Sequence, residues 1–188
     1  DGHEPMLDET TLCKPVNRYG HSKWLGESAV LDAHPDALVL RVNFFGWGPS
    51  YRPSLSDWIL NNLSQKAQIT LYDNVYFTPL YAGVLINTAH ELIAKQAKGI
   101  YNLTSSDRMS KYDFGIKLAH IFGYDTNTIS AGSYNPENST PRPLDMSLNN
   151  TKILNTLGVD SLRINNSIAA LVENKSLKKI FSSIDKNI

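Results

Sequence analysis

A single cysteine, Cys13, stands in 188 residues, so no intrachain disulfide can form, and no Cys/His cluster has the spacing of a zinc site. A reducing cytoplasm is the expected compartment, and no metal is assigned. Net charge is missing as well, because 18 Lys and Arg balance 18 Asp and Glu. No overall basic field argues for nucleic acid, and no polybasic block argues for an anionic membrane. Any anionic ligand must therefore be held by a few placed cations. No apolar run is long enough to span a bilayer, and no charged-then-apolar leader opens the chain. Glycine-rich turns are scarce. Gly46-Trp47-Gly48 is followed by proline rather than by a helix opening, and it is too short to cradle a pyrophosphate.

What is present is an ordinary globular composition, 41% hydrophobic, enough to bury one sizeable core. Sequons at Asn102 and Asn138 carry little weight in a chain this rich in Asn and Ser. The opening Asp1-Gly2-His3-Glu4-Pro5 reads as a loop entered from upstream.

Loop-forming residues fill 1–16, and Asn17 is the expected N-cap of a helix over 18–32. The apolar run 37–42 suits a strand buried on both faces of a parallel sheet. Ser54 is expected to cap a helix to about position 66, and 69–72 and 76–78 are short strands around the turn Asp73-Asn74. A helix over 81–96, a strand over 100–103 and a helix capped by Ser110 and stopped by Gly123 follow. The spacing predicts a long loop over 130–143, two short helices at 150–157 and 165–173, and a solvated tail. The fold class is α/β, and no internal repeat is visible.

The motif that carries chemistry is Tyr19-Gly20-His21-Ser22-Lys23. Residues four apart share a helical face, so a phenol and an ammonium can address one point. Such a pair suits carbonyl reduction, in which the oxygen gains negative charge and must receive a proton. A free tyrosine, with a pKa of about 10, exchanges protons slowly at neutral pH, and a cation within about 5 Å favours the phenolate. The same spacing also fits an aromatic packed on the core beside a solvated lysine.

The flanking residues extend the pattern. Asp8-Glu9, the run Pro15-Val16-Asn17-Arg18-Tyr19-Gly20-His21-Ser22-Lys23 and Gly26-Glu27 together resemble the active-site segment of extended short-chain dehydrogenases, above all the dTDP-4-dehydrorhamnose reductase group. The similarity continues through Leu40-Arg41-Val42-Asn43-Phe44-Phe45-Gly46, the Asp73 to Pro79 segment, Gly99-Ile100-Tyr101-Asn102-Leu103, Ser110-Lys111-Tyr112-Asp113-Phe114, and Pro141-Arg142-Pro143 with Ser147-Leu148 and Lys152.

The resemblance implies a partial Rossmann-like parallel sheet over 1–72 and mainly a substrate-binding α/β region over 73–188, with 81–103 returning to the main sheet. It implies Tyr19 as proton donor, and Lys23 as the cation that favours the phenolate and holds the nicotinamide ribose. Asn43 and Phe44 would line the cofactor, and Phe45 and Arg142 the substrate. Arg142 suits a diphosphate because a guanidinium fork matches phosphate oxygens, although a surface arginine between prolines fits equally. Trp47 and Trp58 suit nucleobase stacking or core packing, with packing favoured. His21 is expected to point away from the pair into solvent.

The family's glycine-rich turn for NADP or NAD is absent, and so is the Ser/Thr that polarises the carbonyl, which lies upstream in that family. The expectation is the carboxy-terminal part of an NAD(P)H-dependent reductase of a 4-keto nucleotide sugar in polysaccharide biosynthesis, inactive without its amino-terminal half. The sheet edge left exposed would be covered by that half or by a second copy in a homodimer. A non-catalytic regulatory or binding protein of the same fold, and a nucleotide-sugar epimerase or dehydratase, are the alternatives.

Overall fold

The computed structural model describes residues 2, 4–135, 137 and 141–176. The sequon at Asn138 and the expected tail beyond 176 lie outside the described residues.

Helix α1 (Arg18–Ala33) begins where Asn17 leaves the extended region and turns its side chain onto the helix. None of its 16 residues is buried, and Trp24, Leu25 and Val30 stay open to solvent. Strand β1 (Leu38–Val42) follows, then β2 (Phe44–Phe45). Ser54 and Asp57 form a capping box that starts α2 (Leu55–Ser64), satisfying amide groups the helix cannot pair itself. Strands β3 (Ile69–Tyr72), β4 (Tyr76–Phe77) and β5 (Leu80–Tyr81) lead into α3 (Ala82–Ala94). Strands β6 (Gly99–Leu103) and β7 (Met109–Ser110) precede α4 (Lys111–Phe122). A second capping box, Ser110 with Asp113, opens α4, and Gly123 closes it at φ 73°, a left-handed geometry that costs glycine little. Strand β8 (Ile129–Gly132), α5 (Thr151–Leu157) and α6 (Ile164–Glu173) complete the order.

Among the described residues the strands form four two-stranded pairings. β1 runs parallel to β6, Leu38 opposite Gly99 and Val42 opposite Leu103. β2 runs parallel to β5, β3 parallel to β8, and β4 antiparallel to β7. Parallel pairs demand crossovers, and helices supply them, which is the α/β architecture expected from the sequence. The β3–β8 pairing crosses the division drawn at position 72.

Two apolar clusters hold these layers. One gathers Ile59, Leu63, Ile69, Leu71, Phe114, Leu118, Ile168 and Leu171 from α2, β3, α4 and α6. The other sets Leu80, Leu92, Tyr101, Leu103 and Ile153 against the β1–β6 pair, with α3 and α5 above it. On β3, Ile69 and Leu71 are buried while Thr70 and Tyr72 are exposed, the alternation of a strand with one covered face.

The loop predicted over 130–143 is corrected at its start. Residues 129–132 are a strand whose Ser, Ala and Gly side chains give no apolar signal, because main-chain pairing to β3 holds it. Among the described residues no helix is long and apolar enough to cross a membrane.

Candidate functional site

The candidate site is built on the first turn of α1. Asn17 Oδ1 accepts from Gly20 N at 2.8 Å and its carbonyl accepts from His21 N at 3.0 Å, so the helix starts at a defined residue. One turn in, Lys23 Nζ lies 5.5 Å from the centroid of the Tyr19 ring. Both side chains face solvent, with Tyr19 73% exposed. The phenol is therefore not an aromatic packed on the core. His21 lies on another face of the helix, exposed, its ring tilted against Trp24 at 5.7 Å.

A shallow open depression of about 350 Å³ beside this turn is lined by Pro15, Val16, Arg18, His21 and Leu25 among others, and neither Tyr19 nor Lys23 borders it. The pair projects outward from a separate face.

Arg41 fastens α1 to β1. Its Nε donates to Glu27 Oε2 at 2.9 Å, its Nη2 donates to Glu27 Oε1, and Nη2 also reaches Cys13 Sγ at 3.2 Å. The hydrogen bond to Glu27 is the chief reason the guanidinium is held even more firmly protonated than usual, against the opposing effect of burial. Neither residue's part was foreseen, since a pair 14 positions apart on two elements leaves no local pattern. Glu9 likewise serves structure, its Oε1 accepting from Asn102 N at 2.8 Å. Asp8 closes a turn by accepting from Thr10 and Thr11, whose side-chain hydroxyls are the main cause of its lowered pKa.

The other predicted site residues separate. Asn43 spends its amide on Met146 O at 2.7 Å, and its carbonyl accepts from Leu80 N at 2.8 Å, so it ties the end of β1 to neighbouring segments. Phe44 is 65% exposed, whereas Phe45 is 2% exposed. Phe45 packs on Phe114 at 5.0 Å and on Tyr81 at 6.1 Å. Successive strand residues point to opposite faces, and Phe45, expected to face the substrate, takes the inner one. Arg142 is exposed on the segment that follows Pro141. Pro141 O accepts from Asn17 Nδ2 at 2.9 Å, which brings that segment to the start of α1. Trp47 belongs to packing, with its ring edge-on to Phe122 and its Nε1 donating to Leu171 O at 3.2 Å. Trp58 is 41% exposed on α2.

The Gly46–Gly48 turn offers nothing to a phosphate. Gly46 N donates to Ser56 Oγ at 3.2 Å and Gly48 N donates to Asp57 Oδ2 at 2.7 Å, so a carboxylate already occupies the start of α2. This turn does not fit the pyrophosphate of a nicotinamide dinucleotide. Among the described residues no three His, Cys, Asp or Glu side chains gather to hold a metal ion. The sequon at Asn102 is buried, with its amide nitrogen donating to Leu7 O and Asn149 O, and it offers no acceptor for a glycan.

Comparison with known proteins converges on one family. The family model described as the RmlD substrate binding domain matches residues 1–177. A protein named probable low-salt glycan biosynthesis reductase Agl14, from Haloferax volcanii, is 30% identical over 164 residues, covering 84% of this chain and 54% of its own length. Methionine adenosyltransferase 2 subunit beta of Xenopus tropicalis is 28% identical over 171 residues, 81% of this chain and 48% of that protein. The chain thus spans about half the length of the curated relatives it matches. Among solved structures, dTDP-4-dehydrorhamnose reductase from Bacillus anthracis in complex with NADP superposes with a TM-score of 0.81 at 19% identity, over 92% of this chain and 61% of that one. That likeness establishes the Rossmann-like α/β fold.

Proposed function

The chain belongs to the RmlD substrate binding domain family, and from that premise we propose that it is the carboxy-terminal part of a reductase acting on a 4-keto nucleotide sugar. Tyr19 is the proton donor and Lys23 its electrostatic partner. The observation that carries this reading is the placing of the Lys23 ammonium 5.5 Å from the Tyr19 ring on one open face of a capped helix.

When bound, reduced NADP or NAD supplies the hydride that reaches the carbonyl carbon. As that carbon is reduced, its oxygen takes the proton of Tyr19 Oη, and the negative charge passes to the phenolate. Lys23 attracts that anion. The attraction is modest in water and several-fold larger once ligands exclude solvent. Solvent then returns a proton to Tyr19. Phe44, exposed at the end of β1, is a surface for the nicotinamide or the sugar ring, and Arg142 takes the substrate diphosphate. The glycine-rich half of the cofactor site belongs to a segment that packs on the open side of β1 and beside α1, where Trp24, Leu25 and Val30 await cover. Alone, the chain is inactive.

The experiment joins the chain to its native upstream half and follows NADPH or NADH oxidation with a dTDP-linked 4-ketosugar. Turnover is expected, and Tyr19→Phe is expected to remove it. Full turnover in that variant would end the proton-donor assignment.

A second reading is supported by the relatives named as subunit beta of methionine adenosyltransferase 2: a regulatory subunit that keeps the fold. It is favoured if the joined protein binds NADPH yet turns over no ketosugar.

A further inference from the structure

The segment 141–147 meets the start of α1 at Pro141, and from Leu144 onward it is fixed at many points. Tyr76 N donates to Leu144 O at 2.7 Å, and Met146 N donates to Tyr76 O at 2.9 Å. Arg108 grips Asp145 Oδ2 through Nε at 2.9 Å and Nη2 at 2.6 Å, with its guanidinium 3.8 Å over the Tyr76 ring. Asn43 Nδ2 donates to Met146 O. Ahead of Leu144 the segment is joined to α1 by Asn17, whose Nδ2 donates to Pro141 O at 2.9 Å.

The same amide caps the helix, with Oδ1 accepting from Gly20 N at 2.8 Å. Its orientation is dictated by its partners. A backbone N–H can only donate and a carbonyl oxygen can only accept, so Oδ1 must face Gly20 and Nδ2 must face Pro141. Gly20 keeps this arrangement compact, since a Cβ there would lie 3.2 Å from Pro15 Cβ and 3.5 Å from Asn17 Oδ1. One short side chain therefore starts the helix that carries Tyr19 and holds the carbonyl just before Arg142.

We propose that Asn17 is a positioning residue that couples the Tyr19 helix to the Arg142 segment, so that the group receiving the proton and the group bearing the phosphates are held at one spacing. This rests on the roles of Tyr19 and Arg142 given above. A ligand fixed at both ends needs that spacing set before it arrives.

Two substitutions separate the functions of the amide. Asn17→Asp keeps a cap acceptor for Gly20 N, removes the donor and turns a carboxylate toward the Pro141 carbonyl. Asn17→Ser keeps a cap acceptor but is too short to reach Pro141. In both variants hydrogen exchange at the Tyr76 amide, which donates to Leu144 O, should quicken while the Gly20 amide stays protected. In the protein joined to its upstream half, the KM for the nucleotide sugar should rise about 3- to 10-fold, the effect of one lost hydrogen bond, with kcat within about two-fold. Unchanged exchange at the Tyr76 amide, with an unchanged KM in an enzyme that Tyr19→Phe inactivates, overturns the coupling and leaves the function standing. Loss of Gly20 protection in both variants also overturns it, because Asn17 would then act as a helix cap alone. Turnover that survives Tyr19→Phe sinks the parent reading instead, and the exchange result then decides the coupling by itself.

Discussion

The guanidinium of Arg41 pairs with the carboxylate of Glu27 through two hydrogen bonds, and this joins β1 to a helix that otherwise buries nothing. The two side chains are 18% and 15% exposed, so most of their hydration is lost and removing one partner strands the other. Breaking such a pair costs about 3 kcal/mol. Glu27→Gln should therefore lower stability by roughly that amount, visible as an earlier urea midpoint. A double-mutant cycle with Arg41→Met should recover much of the loss, and additive effects would refute the pairing.

The Lys23 side chain is exposed and packs into neither core, so its removal should leave the fold intact. Lys23→Met in the joined protein is expected to lower kcat by about 100-fold, the scale of a disabled proton transfer, with the far-ultraviolet circular dichroism unchanged. Lys23→Arg should recover part of that activity, since a guanidinium keeps the charge but not the compact geometry of an ammonium. An unaffected kcat in Lys23→Met would show that the proximity to Tyr19 has no catalytic use.

What could be read from the sequence was what is local along the chain. Asn17, Ser54, Ser110 and Gly123 announce helix ends because capping joins residues three or four positions apart. Tyr19 and Lys23 share a face for the same reason. Phe44 and Phe45 were harder. The strand period says that they oppose one another, but only the neighbouring Phe114 and Tyr81 decide which of the two turns inward. Strand β8 was hidden because Ser130, Ala131 and Gly132 carry no apolar pattern, and its pairing to β3 is a main-chain matter. The partners of Arg41, Arg108 and Asn43 lie 14, 37 and 103 positions away, and no spacing rule reaches so far.

Asn102 is fully buried on β6, with Nδ2 donating to Leu7 O at 3.0 Å and to Asn149 O at 2.9 Å. It stitches the segment before α1 to the one before α5. Asn102→Leu would remove both donations and leave the half-buried Asn149 O without this donor, at a cost of about 1–2 kcal/mol. Leu7 O keeps the backbone amide of Asn149 at 2.9 Å, so local loosening rather than global unfolding is expected. The measurement is denaturant stability alongside exchange at Leu7 and Asn149, and wild-type stability in the variant would show that the stitch is idle.

Lys111 opens α4 half-buried, with its ammonium 3.1 Å from the centroid of the Phe77 ring. Burial lowers its pKa from 10.5 to about 7, and the positive end of the helix acts in the same direction. The attraction of the ring for a cation offsets part of this. Between about pH 7 and 10.5 the unfolded chain thus binds more protons at this site than the folded chain, and this group's contribution to stability rises with pH across that window. Below pH 7 both states are protonated and the penalty is constant. Lys111→Met keeps the length of the stem and removes the charge. It should stabilise the protein by on the order of 3 kcal/mol at pH 7, and the gap to wild type should close as the pH approaches 10. Urea titrations of both proteins at intervals from pH 6 to pH 10 measure that gap, and a gap that stays level throughout would mean that the lysine keeps its proton in the fold.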